Sequence, residues 1–205
     1  MRHIFGPVPS RRLGSSLGVD IIPFKTCSYD CIYCQLSQTT CKTTERKEYI
    51  DSQSVISDLK AVLNELEDPK STVDYITFSG SGEPTLNSAI GKIIDGIKSF
   101  TDIPVAVLTN GSLLYREDVR KELCKADLVV PSLDAVTQQV FEKINRPAPD
   151  LDIEKIIDGI RKFSASFDGK IWLEIMLVKG INDQTELDEI AKVIPQVDVD
   201  KIQLN

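Results

Sequence analysis

The sequence predicts an α/β protein built on a parallel sheet. Two observations predict it. Short β-rich apolar runs alternate with longer stretches in which apolar residues recur every 3.6 positions. The polar, glycine-bearing segments follow those runs rather than precede them, as at the carboxyl ends of parallel strands.

Six runs read as strands: "VDIIPF" (19–24), "VDYITF" (73–78), "PVAVLT" (104–109), "DLVVPS" (127–132), "IWLEIMLV" (171–178) and "VDKIQL" (199–204). Such runs suit strands buried on both faces. Between the first two, Val55, Ile56, Leu59, Val62, Leu63 and Leu66 mark a helix that Asp51 or Ser52 would cap. Ile90, Ile93, Ile94 and Ile97 mark a second helix, and Val119 and Leu123 a short third. Ile153, Ile156, Ile157, Ile160 and Phe163 form a stripe, preceded by a shorter helix through Val136, Val140 and Ile144. Leu187, Ile190, Ala191 and Ile194 complete the set. All of these stripes read as core packing. The periodicity alone leaves open whether the sheet curls toward a βα barrel or stays doubly wound.

The length, 205 residues, predicts one domain over 1–205, with 1–18 as an N-terminal extension before the first strand. The last residues, "KIQLN", lack a closing helix, so the chain reads as a minimal domain with an open side or as one lacking a C-terminal segment. Apolar residues make up 41% and charged residues 27%, ordinary for a soluble globular protein. No apolar run approaches the ~20 residues of a membrane span, and "MRHIFGPVPSRR" has no signal-peptide core. A cytoplasmic location without membrane association is expected, where clustered cysteines indicate metal or redox chemistry rather than disulfides. The net charge of −7 is uneven: +3 over residues 1–50 and −10 beyond them. The acidic body argues against broad nucleic-acid binding, which rests on neutralising phosphates.

The unusual residues lie in "SGSGEPTL", "TNGS", "SLDA", "KGIND" and "QLN", each at the end of a strand, so they converge on one site. "TNG" also suits a simple turn. Before them, "KTCSYDCIYCQ" (25–35) holds Cys27, Cys31 and Cys34. One helical turn would bring Cys31 and Cys34 to one side, with Cys27 curling back. Three thiols are one short of a structural zinc site. The spacing fits neither ferredoxin run, both of which supply four cysteines. Zinc or an electron-transfer cluster would need Cys41, or for zinc His3, as a fourth ligand. A four-iron cluster on three thiolates would instead keep one iron open to a ligand.

CxxxCxxC with Tyr33 before the last cysteine, after the first strand of an α/β chain, resembles the radical S-adenosylmethionine (radical SAM) superfamily. "GSGEP" (80–84) stands where that family carries a Gly-Gly-Glu-type motif, here with Ser81 between the glycines. "FGPVPSRRLGSSLGVDIIPFKTCSYDCIYCQL" further resembles relatives of the tRNA wybutosine-synthesis enzymes. The resemblance implies a six-stranded parallel partial (β/α)6 barrel, open on one side. It implies a 4Fe–4S cluster on Cys27, Cys31 and Cys34, with SAM chelating the fourth iron. Gly80, Gly82 and Glu83 would receive the SAM amino group. Tyr33 would lie against adenine, and Val178, Gly180 and Asn182 would border it. Asn110, Ser132 and Asp134 would meet ribose or the SAM carboxylate. A ferredoxin- or flavodoxin-type donor would deliver an electron. SAM would then split into methionine and a 5′-deoxyadenosyl radical that takes hydrogen from a substrate: RNA, protein or small molecule. A non-catalytic binding module and a glycyl-radical activase are the competing readings.

Around this site Arg11, Arg12 and Arg146 are candidates to clamp a phosphate or carboxylate of the substrate. Glu174, inside an apolar strand, needs a partner if it faces inward, and Lys25 or substrate would supply one. Cys124 is expected to pack as a small buried hydrophobe and His3 to lie on the surface.

Overall fold

The computed structural model describes residues 3–205. Its strands and helices are β1 (Ile4–Ser10), β2 (Gly14–Val19), β3 (Thr26–Cys27), β4 (Cys41–Lys42), α1 (Ser52–Glu65), α2 (Pro69–Thr72), β5 (Tyr75–Phe78), α3 (Ile90–Lys98), β6 (Val105–Thr109), α4 (Glu117–Leu123), β7 (Leu128–Pro131), α5 (Gln138–Ile144), α6 (Ile153–Ser164), β8 (Lys170–Ile175), α7 (Thr185–Val193) and β9 (Lys201–Leu204). The main sheet runs β1-β2-β5-β6-β7-β8-β9. Only the β1–β2 pair is antiparallel; every other neighbouring pair is parallel. This is an α/β fold with a mostly parallel sheet.

Alternation along the strands divides the core. Ile76, Phe78, Val105, Val107, Val129, Ile171 and Leu173 face the helices. Against them pack the α3 stripe Ile90, Ile93, Ile94 and Ile97, which is fully buried, and the α6 stripe from Ile153 to Phe163. On the opposite face Leu13, Ala106, Leu128 and Val130 form a smaller cluster with Tyr75, Leu108 and Trp172. The helix starts follow from local chemistry. Asp51 accepts from the Ser54 amide and caps α1, and Asp152 accepts from Lys155 and caps α6.

Three expectations are corrected. The first strand is not 19–24 but Gly14–Val19, inside the span read as an N-terminal extension. Leu17 and Val19 are buried toward the helices, while Ser16 and Gly18 alternate with them. Small residues hide that alternation from a search for apolar runs. Beyond Val19, Asp20 takes the Ile22 amide in a turn, and the chain leaves the sheet. Second, β1 pairs with β2 as a hairpin that no apolar run announced. Third, Cys124 is exposed at the end of α4 rather than packed in the core. Among the described residues no helix is long and apolar enough to cross a membrane.

Candidate functional site

The cysteines lie on one loop closed at its base by the β3–β4 pair, which sets Thr26 opposite Cys41 and Cys27 opposite Lys42. The loop is pinned from within and from the body. Asp30 accepts the Thr39 amide at 2.7 Å; the amides of Asp30 and Ile32 donate to the carbonyls of Asn145 and Ile144 at 2.9 Å. Cys31 and Cys34 share a single turn, closed by the Cys34 amide on the Cys31 carbonyl at 3.1 Å, and not a helix.

Each sulfur accepts from one side-chain N–H. Asn110 Nδ2 reaches Cys27 Sγ at 3.5 Å, Asn145 Nδ2 reaches Cys31 Sγ at 3.4 Å, and Lys25 Nζ reaches Cys34 Sγ at 3.4 Å. Burial, joined by the Glu83 charge, pushes the Cys27 thiol up to about 12. Burial likewise lifts Cys31 to about 11 against the pull of the Asn145 donor. Thiols so placed ionise only beside a strong positive charge, which iron supplies.

Among the described residues no three His, Cys, Asp or Glu side chains converge to hold a single metal ion. Cys41 is exposed and its neighbour in charge is Tyr49, while His3 pairs with Asp58 at 3.1 Å. The fourth ligand that a zinc site requires is therefore not brought to the three thiols. A four-iron cluster, larger than an ion, takes thiolates at separate corners, and this set of three half-buried thiols with N–H donors fits that demand.

The "SGSGEP" segment after β5 braces the loop. The Lys25 amide donates to the Ser81 carbonyl at 2.8 Å and the Glu83 amide to the Thr26 carbonyl at 3.3 Å. Asp20 accepts from both the amide and the hydroxyl of Ser81. Gly80 holds a φ of +136°, a glycine conformation, directly against Asp20. Glu83 is 2% exposed. It accepts from Thr85 N at 3.0 Å, Thr85 Oγ1 at 2.6 Å, Thr109 Oγ1 at 2.7 Å and Asn110 N at 2.7 Å. Burial pushes its carboxyl up, and these donors oppose the shift. Glu83 thus ties the end of β5 to the end of β6.

The remaining strand ends are joined in a second network. Asp134, 3% exposed, accepts from the Tyr33 hydroxyl, from Asn145 Nδ2 at 2.7 Å and from the Met176 amide at 2.8 Å. Burial raises its carboxyl and, with the Asp134 charge alongside, raises the Tyr33 phenol. Asn182 is fully buried; its Nδ2 donates to the carbonyls of Asp134 and Met176, and its Oδ1 takes the Val178 amide. The Gly180 amide goes to Asp183 at 2.8 Å. Ser132 bridges to Glu174 across β7 and β8.

Of the candidates for substrate, Arg12 and Glu174 pair with each other at 2.7 Å, and Asn205 also donates to Glu174. The partner that Glu174 would need is therefore Arg12 rather than Lys25 or substrate, and Lys25 turns back to Cys34. Arg11, with Arg12, Ser10, Leu13, Leu108 and Val130, lines a cavity of about 240 Å³. Arg146 is largely exposed, 3.8 Å from Asp30. Sequence reading missed Asn145, Thr109 and Asp20. Asn145 stands beside Arg146 in "NRP" and Thr109 beside Asn110 in "TNG", but only contacts across the fold reveal their partners.

Residues 21–194 match the Radical SAM superfamily, and the chain belongs to it. Members of that superfamily use a 4Fe–4S cluster and SAM. The chain is 47% identical over 205 residues to a protein of Brachyspira hyodysenteriae named GTPase Obg, covering 99% of this chain and 29% of that one. It is 40% identical over 206 residues to a UPF0026 protein of Methanocaldococcus jannaschii, covering 100% of this chain and 63% of that one. It thus spans less than two thirds of either relative. Among solved structures, TYW1 with a lysine-pyruvate adduct bound shares the fold, at 18% identity and a TM-score of 0.66 over 94% of this chain and 65% of that one. Native anSMEcpe with bound AdoMet does so at 19% identity and a TM-score of 0.66, over 91% of this chain and 50% of that one.

Proposed function

We propose that this chain is the catalytic core of a radical SAM enzyme, with Cys27, Cys31 and Cys34 as the ligands of the cluster. The observation that carries the reading is the set of three half-buried thiols, each facing its own N–H donor, on a loop held against the strand ends by Ser81 and Glu83. In this reading the six parallel strands β2 and β5–β9 form the partial (β/α)6 barrel. Held by Cys27, Cys31 and Cys34, a cluster with bound SAM would supply a one-electron reductive cleavage of SAM to methionine and a 5′-deoxyadenosyl radical able to take hydrogen from a substrate.

The protein's own groups do the rest. The Thr26 carbonyl and the strap Gly80–Glu83 hold the loop, and the backbone there offers acceptors to the SAM ammonium. Glu83 Oε1 already takes three donors and Oε2 only one, so Oε2 is the carboxylate oxygen with capacity left for that ammonium. Tyr33, its hydroxyl fixed on Asp134, would lie against adenine. Because Asp134, Asn182 and Asn110 are filled by protein donors and acceptors, Ser132 is the better candidate for a ribose or carboxylate contact. The Val178–Asn182 turn, whose Val178 and Gly180 amides are taken, would border adenine by packing. A ferredoxin- or flavodoxin-type donor in a reducing cytoplasm completes the proposal.

Anaerobic protein loaded with iron and sulfide, then given reductant and SAM, tests the reading. Formation of 5′-deoxyadenosine, lost in each of Cys27→Ala, Cys31→Ala and Cys34→Ala and kept in Cys41→Ala, is the expected result. A colourless protein with one zinc per chain overturns it.

A further inference from the structure

Lys25 is the one charged donor to a cysteine sulfur among the described residues; the other two are amides. The residue is 3% exposed, which is unusual for lysine, and no Asp or Glu pairs with it among the described residues. The ammonium has two partners, Cys34 Sγ at 3.4 Å and the Ser37 carbonyl. A buried ammonium facing only neutral groups is costly, because burial strips its hydration without returning a counter-charge.

The backbone is built to keep it there. Lys25 holds a φ of +62°, the left-handed region that a side chain makes unfavourable. Three backbone bonds fix that conformation: its amide on the Ser81 carbonyl, and its carbonyl accepting from Thr40 and Cys41. Ser37, at φ +66°, turns its carbonyl to the ammonium. A strained residue held by its surroundings at a candidate site points to a functional constraint. The missing counter-charge is met if Cys34 is a thiolate bearing a cluster.

Resting on the reading above, we propose that Lys25 is a positioning residue that sets the reduction potential of the cluster held through Cys34. One electron added to the cluster makes it more negative, and a fixed positive charge nearby stabilises that state more than the oxidised one. Lys25 therefore raises the potential and makes the cluster easier to reduce. Asn110 and Asn145, being neutral, contribute dipoles of smaller reach.

The test measures the midpoint potential of the reconstituted full chain by redox titration followed by electron paramagnetic resonance, with iron content measured in parallel. Lys25→Met and Lys25→Gln carry the same backbone strain as the native residue, and Lys25→Arg keeps the charge. With iron content at the native value, both neutral variants should shift to a lower potential. At a fixed poise their reduced-to-oxidised ratio should fall about tenfold, about 59 mV for a one-electron couple. Lys25→Arg should stay near the native value. An unchanged potential in the neutral variants overturns the proposal. So does loss of iron in both of them, which would assign Lys25 to holding the loop. Failure of the native chain to take up a 4Fe–4S cluster would instead defeat the parent reading, so the two failures are told apart.

Discussion

The carbonyl oxygen of Thr26 lies 1.8 Å from where a side chain on Gly82 would begin. No L-residue fits there without moving the backbone that leads into Cys27. The glycine of the strap therefore serves the cysteine loop by absence of bulk, letting two backbones touch. Gly82→Ala should displace that loop while leaving the helix-packed core folded. The expected result is native far-ultraviolet circular dichroism with iron uptake reduced at least several-fold. Native iron content in Gly82→Ala would show that the contact yields.

Glu83 is held by donors from two segments, so its removal has a structural cost as well as a ligand cost. Glu83→Ala leaves the Asn110 amide and the Thr85 and Thr109 hydroxyls without their acceptor. Orphaned buried donors cost roughly 1–3 kcal/mol each before water relieves them. A net loss of about 2–3 kcal/mol is expected from urea unfolding of the iron-free protein. An unchanged urea midpoint would return Glu83 to ligand binding alone.

Burial raises Cys27 to about 12 and Cys31 to about 11, so at pH 8 both are almost wholly thiol in the iron-free chain. The thiolate is the nucleophile. Alkylation followed by mass spectrometry should modify exposed Cys41 well before Cys27 and Cys31. Rates at Cys27 and Cys31 should climb about tenfold per pH unit up to those values. Equal rates at pH 8 would contradict the burial of the pair.

Leu13 anchors the β1–β2 hairpin in the smaller core, 3% exposed among Ala106, Leu128 and Val130. Leu13→Ala should cost about 3 kcal/mol, the usual range for a buried leucine. The loss should appear in thermal or urea unfolding. A cost under ~1 kcal/mol would mean the hairpin end is loosely seated.

Arg12 and Glu174 join that hairpin to β8, with side chains 27% and 18% exposed. Arg12→Ala should destabilise by ~1 kcal/mol in low salt and less at high salt, because a partly exposed pair is screened. Salt-independent loss would indicate lost packing instead of lost charge.

Five of the six strands, the amphipathic helices and the convergence of the strand ends were legible because each leaves a local periodic trace. Ile90, Ile93, Ile94 and Ile97 could face one way only on a helix. The first strand was not legible, because Ser16 and Gly18 replace the apolar residues that would mark it. Asp134 and Asn182 were expected to meet SAM, but the sequence showed neither that Tyr33, Asn145 and Met176 fill Asp134 nor that Asn182 staples its own turn. Those bonds join residues up to 101 positions apart.

The grouping of three thiols beside a small-residue strap in a parallel α/β domain resides in residue identity and spacing along the chain. Which donor meets which sulfur does not. Lys25 carries the same five-bond side chain whether it reaches Glu174, solvent or Cys34. Its direction is set by the left-handed backbone at Lys25, the Ser81 carbonyl on its amide and the arrival of Arg12 at Glu174. Local spacing encodes which groups are near in the chain; only packing of the strap, the hairpin and the loop selects among their partners.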